Sequence, residues 1–327
     1  MQFLESSCTD PYYNLALEDH IFQQFAQTQD CFLLWQNQPC VVVGKNQNTL
    51  EEINSRYIHE HNILVARRNS GGGAVYHDLG NLNYTFIVHP ARNEVLSFQE
   101  FVQPLILTLR KLGIEAQSSG RNDVLIAGKK VSGSAQYAKN GRLLHHGCIL
   151  VNCDVDALSG ALNVSENKFR SKGIKSVRSR VTCVNDHLSR PLTVEEFKRI
   201  FIRQVSMEQT LRPIELGAED LRRVRELRDH QYATWEWNYG GSPPCGVRKE
   251  KRYPFGTVAI CMELRGDDIE KVKIYGDFFG QEDISGLEQL LCGKHLKPES
   301  FQFLSDEEVD RYVSGLTQDK LIELLCF

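Results

Sequence analysis

The stretch richest in chemistry runs from Arg67 to Phe86 and reads RRNSGGGAVYHDLGNLNYTF. Three consecutive glycines, Gly71 to Gly73, follow a strand-like segment, ILVARR. With no Cβ in the way, such a loop lets its backbone N–H groups approach a ligand closely. Arg67 and Arg68 precede it and carry planar donor sets that match a phosphate. His77, Asp78, Asn81 and Asn83 add polar groups around a strand that should be mostly buried, and buried polar groups need partners. Three glycines alone would suit a flexible hairpin equally well; the arginines and the polar set favour a ligand loop. The stretch fits neither G-x-x-x-x-G-K-[ST] nor a strand–helix G-x-G-x-x-G unit, so the P-loop and dinucleotide-binding readings fail on pattern.

A second stretch, GRNDVLIAGKKVSGSAQ, spans Gly120 to Gln136. Arg121, Asn122 and Asp123 set a guanidinium, an amide and a carboxylate side by side. Asn with Asp offers hard oxygens suited to Mg²⁺ held jointly with substrate phosphates, although the same pair also suits an ordinary Asx turn. Lys129 and Lys130 follow, and strand alternation sends them to opposite faces. Lys130 shares its parity with Ser132 and Ser134 and is expected to point inwards with them. There it would neutralise charge growing between an acyl carbonyl and a phosphate; the alternative is an exposed hairpin lysine.

The elements that must position these residues are legible in outline. Asp10-Pro11 opens a helix towards Ala26, with Leu17, Ile21 and Phe25 on one face. CFLLWQ, PCVVVG and LNYTFIVH read as strands. Thr49-x-x-Glu52, Ser97-x-x-Glu100 and Thr193-x-x-Glu196 are capping boxes, the first opening a helix towards His59. Pro104 should kink or delay the second helix. Ala127-Gly128 and Asn140-Gly141 mark hairpin turns, and a charged helix is expected from Ala218 to His230. Asn238–Pro244 reads as a linker. Beyond it comes strand–turn–strand with the turn at Arg265–Asp268, then two short helices. The expected organisation is a mixed-sheet α/β domain over residues 1–243 and a small α+β domain over residues 244–327.

Hydrophobic residues at 41% and charged residues at 24% suffice for a sizeable core in an ordinary globular chain. A net charge of −4 provides no basic field, which disfavours nucleic-acid binding. The ten cysteines form no C-x-x-C pair, and several lie in apolar runs, so structural thiols in a reducing cytosol are expected. No apolar run approaches the ~20 residues of a membrane span, and the start shows no signal core, so a cytoplasmic protein without membrane partners is expected.

Together these stretches resemble the lipoate–protein ligase A family. Its pattern R-R-x-S-G-G-G-A-V-[YF]-H-D-x-G-N-x-N reads without a gap from Arg67 to Asn83. G-R-N-D followed by K-x-S-G-x-A lies at Gly120–Asp123 and Lys130–Ala135. K-G-[IV]-x-S-V-R-S-R-V lies at Lys172–Val181, W-[ED]-W-N-[YF]-G at Trp235–Gly240, and N-L-A-L-E at Asn14–Glu18. The resemblance spans nearly all of the first 240 residues.

The resemblance implies a catalytic core similar to biotin ligases and class II aminoacyl-tRNA synthetases, with an accessory C-terminal domain. It implies activation of lipoate with ATP as lipoyl-AMP. Transfer would then go to a lysine of apo lipoyl domains, in 2-oxoacid dehydrogenase E2 subunits and glycine cleavage H protein. By that likeness Arg68 and the backbone of Gly73, Ala74, Val75 and Tyr76 contact the nucleotide. Lys130 bridges the lipoyl carbonyl and the α-phosphate, and Asn122 and Asp123 help hold Mg²⁺. Ser70, Gly71 and Gly72 shape the lipoyl tunnel, and His145 and His146 lie near the acyl and adenylate ends. Lys168, Arg170, Lys172 and Arg178 would meet acidic faces of the acceptor. One position departs: Cys148 stands where the family has a small residue. Related octanoyl- and lipoyl-transferases work through a cysteine thioester, so a transferase that needs no ATP is the alternative. The Asn122-Asp123 pair, Lys130 and the C-terminal extension favour the ligase.

Overall fold

The computed structural model describes residues 1–26, 29–90, 97–120, 122–163, 179–240 and 246–326. Arg121, the basic set Lys168, Arg170, Lys172 and Arg178, the third signature up to residue 178, and linker residues 241–245 lie outside these.

An eight-stranded mixed sheet organises the first part of the chain. Its strands are β1 (Gln2–Glu5), β2 (Cys31–Trp35), β6 (Asn81–Val88), β7 (Ala116–Ser118), β8 (Asp123–Ile126), β9 (Lys129–Lys139), β10 (Arg142–Leu150) and β11 (Arg212–Pro213). They run in the order β11-β1-β2-β6-β10-β9-β8-β7. A second sheet, β4-β3-β5, is made from β3 (Cys40–Val43), β4 (Leu64–Arg67) and β5 (Val75–His77). Strand β2 (CFLLW) is apolar and buried at every position, because both faces of the sheet are covered there. Helices α4 (Phe98–Lys111) and α6 (Val194–Glu208) cover one face, where Phe32, Tyr84, Phe86, Leu105 and Phe201 share a core. Helix α1 (Pro11–His20) and the second sheet cover the other, with Leu15, Leu33, Val42 and Leu144 between them.

Local signals account for most of these boundaries. Asp10 accepts from the Tyr12 N–H at 3.0 Å and starts α1, which ends in a π-helical turn at Ile21–Phe25. Thr193 and Glu196 exchange the two bonds of a capping box, at 3.1 and 2.8 Å. Both hairpin turns have positive φ at two consecutive residues, Ala127-Gly128 and Asn140-Gly141, as the right-handed twist of the flanking strands demands. Pro104 sits inside α4 without ending it; the row Phe101, Leu105 and Leu109 is buried in the sheet core, and that packing outweighs the lost backbone bond. The box expected at Thr49 does not form. Asn48 is the N-cap, α2 (Thr49–Glu52) stops after one turn, and a new cap at Asn54 starts α3 (Ser55–Glu60). Thr49 is withdrawn from capping because its hydroxyl is bound from two sides by tertiary partners, described below.

After α5 (Val155–Ala161), α7 (Ala218–Leu227) and α8 (Trp235–Asn238), the chain builds a separate core. Strands β12 (Val247–Tyr253), β13 (Gly256–Arg265) and β14 (Asp268–Gly276) pack with α9 (Ile284–Leu291), α10 (Asp306–Tyr312) and α11 (Gln318–Cys326) around Val258, Ile260, Ile274, Leu287, Phe301 and Leu321. The pattern had suggested two strands and two helices. The extra strand, VRKEKRY, is charged at nearly every position, and its apolar signal is confined to its ends. It pairs through its backbone at the sheet edge, where charge is tolerated. Among the described residues eight cysteines are free and five of those buried, as expected of structural thiols; Cys261 is instead disulfide-bonded. No described helix is long and apolar enough to cross a membrane.

Candidate active site

Two adjacent arginines at the end of β4 take opposite directions. Arg67 turns away from the glycine loop. Its Nη1 donates to the carbonyls of Gly44, Lys45 and Gln47 at 2.9, 2.9 and 2.8 Å. Its Nε donates to Trp237 O at 2.9 Å, and its Nη2 to Thr49 Oγ1 at 2.6 Å and Asn238 O at 3.2 Å. Thr49 in turn donates to Asn238 O at 2.5 Å. Trp237 Nε1 returns a bond to Arg67 O at 2.8 Å, and Asn238 Oδ1 accepts from the Arg67 N–H at 2.8 Å. The Trp235–Gly240 signature is thus a clasp around Arg67. Its donors are saturated by protein oxygens, so the expectation that it meets a phosphate is corrected.

Arg68 turns the other way and gathers the loop. Its Nη2 donates to Gly71 O at 2.7 Å and Gly73 O at 2.9 Å, its Nη1 to Val42 O at 3.1 Å and its Nε to Ser70 Oγ at 2.9 Å. Four of five N–H donors are therefore used in shaping the loop. Burial pushes both guanidiniums down to about 10, so each remains a cation at neutral pH.

From Ser70 a polar chain crosses the cavity floor. Ser70 Oγ lies 2.7 Å from His146 Nε2, and His146 Nδ1 lies 2.9 Å from Glu18 Oε1. Thr85 Oγ1 donates to the same carboxylate oxygen at 2.5 Å and accepts from Trp35 Nε1 at 3.2 Å. Arginine only donates and carboxylate only accepts, so the chain has a polarity: Arg68 to Ser70, Ser70 to His146, His146 to Glu18. The Glu of Asn14–Glu18 and the second His of the His-His-Gly are joined here. Neither motif by itself gives Glu18 a task; the signal for one is a carboxylate set among the buried residues of α1.

Lys130 reaches the site by a route its parity did not foretell. Ser132 and Ser134 pair with Ile149 and Gly147, while Gly133 and Ala135 pair with Cys148 and His146 on the cavity face. The serine side chains therefore turn to the opposite sheet face, although Ser134 is still among the residues lining the cavity, and Lys130 would go with them if alternation were unbroken. A bulge intervenes: Val124 pairs with Ser132 and Leu125 with Lys130, leaving Val131 as the extra residue. That extra residue flips Lys130 to the cavity face. A Cβ added to Gly133 would sit 2.4 Å from Lys130 Nζ, so this glycine gives the lysine its place. Asp123 holds it by an ion pair at 2.7 Å. Asn122 Nδ2 donates to Ser134 O at 3.0 Å, which orients its amide.

These groups surround a cavity of about 610 Å³, part of it open to solvent. Of the expected residues, Arg68, Gly72, Gly73, Ala74, Val75, Asn122, Lys130 and His146 line it, and Leu15, Trp35 and Val42 supply an apolar end. Ser70 contributes through Arg68 and His146, and Asp123 through Lys130. Tyr76 does not line it: its ring packs with Val41, Val43 and Ile53 in a core elsewhere. His145 faces the helix-covered side, stacked 4.6 Å from Phe101, because adjacent strand residues alternate. Burial, and after it Arg68, hold His77 down at about 3. Burial pushes the Cys148 thiol up, against the lesser pull of Lys130. Gly71 and Gly72 are covered by the C-terminal part: Gly72 N–H donates to Phe278 O at 3.3 Å, and a Cβ on Gly71 would meet that oxygen at 2.4 Å. Nothing in the local pattern announced this contact, since the partner is a backbone carbonyl.

Comparison with known proteins bears on this geometry. The model of the lipoyl protein ligase A/B catalytic domain matches residues 10–206, and that of the bacterial lipoate protein ligase C-terminus matches residues 242–325. A lipoate–protein ligase of Bacillus subtilis is 38% identical, over 99% of this chain and 100% of its own. Lipoate–protein ligase 1 of Staphylococcus aureus is 39% identical over the same shares. Among solved structures, a P. falciparum protein in complex with lipoate shares the fold, with a TM-score of 0.76, 23% identity, and 93% and 92% of the two chains covered. A lipoate-protein ligase A bound with ATP matches at TM-score 0.64 and 28% identity, over 73% of this chain and 98% of that one. A bipartite lipoate protein ligase of Thermoplasma acidophilum, described together with its E2 lipoyl domain, matches at 0.63 and 31%, over 75% and 98%.

Proposed function

The chain belongs to the lipoyl protein ligase A/B family, and on that premise we propose how its residues carry out ATP-dependent lipoate–protein ligation. The fold is the mixed α/β fold of the lipoate ligases with its C-terminal domain. The reaction has two steps. A lipoate carboxylate oxygen attacks the α-phosphorus of ATP and pyrophosphate leaves; a neutral lysine amine of an acceptor then attacks the acyl carbon and AMP leaves. No enzyme nucleophile is needed. The protein must align carboxylate and phosphate, offset their charge and keep water from the mixed anhydride.

The observation that carries this reading is the convergence of Lys130 and the Arg68-held glycine loop on one cavity with an apolar end. Lys130 sits between the acyl carbonyl and the α-phosphate. The open face of Gly73, where an added Cβ would meet nothing within 4 Å, takes the nucleotide, with the backbone of Ala74 and Val75 beside it. Arg68 acts by shaping the loop and by its charge. Ser70, Gly71, Gly72 and His146 bound the lipoyl side.

Asn122 and Asp123 supply two oxygen donors beside Lys130, and no cluster of three or more His, Cys, Asp or Glu able to hold a metal occurs among the described residues. Such a sparse donor set fits Mg²⁺ that takes its other ligands from phosphates and water. When bound, that ion would neutralise phosphate charge. The acceptors are lipoyl domains, of 2-oxoacid dehydrogenase E2 subunits and glycine cleavage H protein, and the reaction belongs to the cytoplasm, where ATP and these acceptors meet. The thioester alternative is disfavoured because burial raises the Cys148 thiol and leaves little thiolate.

The test is pyrophosphate release with lipoate, ATP, Mg²⁺ and an apo lipoyl domain, alongside transfer from synthetic lipoyl-AMP. Both should proceed. Rapid transfer from lipoyl-AMP with no pyrophosphate release would sink the ligase reading and restore the transferase.

A further inference from the structure

Asn83 is 1% exposed, lines the cavity, and has no hydrogen-bond partner for either Oδ1 or Nδ2 among the described residues. Burying both ends of an amide unpaired is costly, since each loses water and gains nothing. Its cross-strand neighbours offer no relief: they are Trp35 on β2 and Cys148 on β10. An apolar side chain would fit this wall at lower cost. The amide therefore matches a partner that enters the cavity.

Its position indicates which part of a ligand it meets. On the cavity face a row crosses the sheet from Trp35 through Asn83 and Cys148 to Gly133, and Lys130 Nζ lies over Gly133. Adjacent strands are ~4.8 Å apart, so Asn83 stands roughly 10 Å from the lysine end, with Trp35 one strand further. This step rests on the ligase reading above, which puts the lipoate carboxylate at Lys130. An extended lipoate then carries its ring sulfurs about as far as Asn83, with the Trp35 indole closing the end. We propose that Asn83 reads the dithiolane: its Nδ2–H donates to a ring sulfur, a weak acceptor. Lipoate is thereby preferred over octanoate, whose methylenes leave the amide unpaired.

The experiment compares kcat/KM for pyrophosphate release with lipoate, octanoate and 5-cyclopentylpentanoate, which keeps the ring shape without sulfur. The wild-type protein should favour lipoate over the cyclopentyl acid by about tenfold, mainly in KM, a modest ratio because sulfur accepts weakly. Asn83→Leu should bring the ratio close to one and raise the thermal midpoint by a few degrees, since an unpaired buried amide is removed. Equal wild-type use of lipoate and the cyclopentyl acid would overturn the proposal whether or not the variant folds. So would a variant that keeps the wild-type ratio or melts lower, either of which would assign Asn83 a structural task. No pyrophosphate release with any of the three acids would instead refute the ligase reading and this proposal with it.

Discussion

Two adjacent histidines on β10 divide the molecule into its two chemistries. His145 turns to the helix-covered face, its ring flat against Phe101 at 4.6 Å and 16°, and burial holds its pKa well below the ordinary value. It serves as an aromatic plate in a packed core. His146 turns to the cavity face and links Ser70 to Glu18. One face of the sheet supplies rigidity through apolar packing; the other supplies aligned donors and acceptors. Gly147 follows because a Cβ there would strike the Tyr84 ring at 2.7 Å, so the same three-residue run serves both faces.

The strongest challenge to this division is Lys130→Ala. Both pyrophosphate release and transfer from lipoyl-AMP should fall by about 10²–10³-fold, with the far-ultraviolet circular dichroism unchanged; preserved transfer would mean that the acyl carbonyl lies elsewhere. The paired variants His146→Ala and His145→Phe sharpen it next. The first should lower adenylation by about tenfold or more by breaking the chain that orders the glycine loop. The second should leave turnover within a factor of about two, because ring stacking is kept. Equal losses in both would erase the distinction between the faces.

Acid should weaken the fold from both faces at once. His77 has its folded pKa depressed from the usual 6.5 to about 3, so the unfolded chain binds the proton first as pH falls. Its contribution is complete above about pH 6.5 and is lost progressively towards pH 3. Urea unfolding at pH 4.5 should therefore show stability lower by about 2–3 kcal/mol from His77 than at pH 7. His145, also held well below its ordinary value by burial, acts in the same direction, so His145→Phe should reduce the difference. A flat profile would mean that these rings charge without cost. The smallest effect belongs to Cys148→Ser: activity should stay within a factor of about three, and mass spectrometry of the wild-type protein after incubation with substrates should find no acyl thioester.

Much of the site was legible because it is local. The Arg67–Asn83 run covers the end of β4, all of β5 and the start of β6 with the loops between them, and Arg68, Gly72, Gly73 and Asn83 reach the cavity together. Arg67 was misjudged for a reason of competition: six oxygens from residues 44–49 and 237–238 take its donors, and their approach depends on the clasp by α8. Tyr76 and His145 were misjudged or blurred because a contiguous motif does not declare which face each member occupies. Lys130 lines the cavity, but strand parity does not put it there; the bulge at Val131 does.

The amino-acid order by itself determined the turns, most of the helix starts, the buried strands and the identity of the cavity's charged groups, since each rests on contacts within a few residues. Only the tertiary structure decided which way those groups point. Side-chain facing in a strand inverts with one inserted residue, and the partners of Arg67, Glu18 and Gly71 arrive from positions 237–238, 146 and 278, where no local pattern reaches.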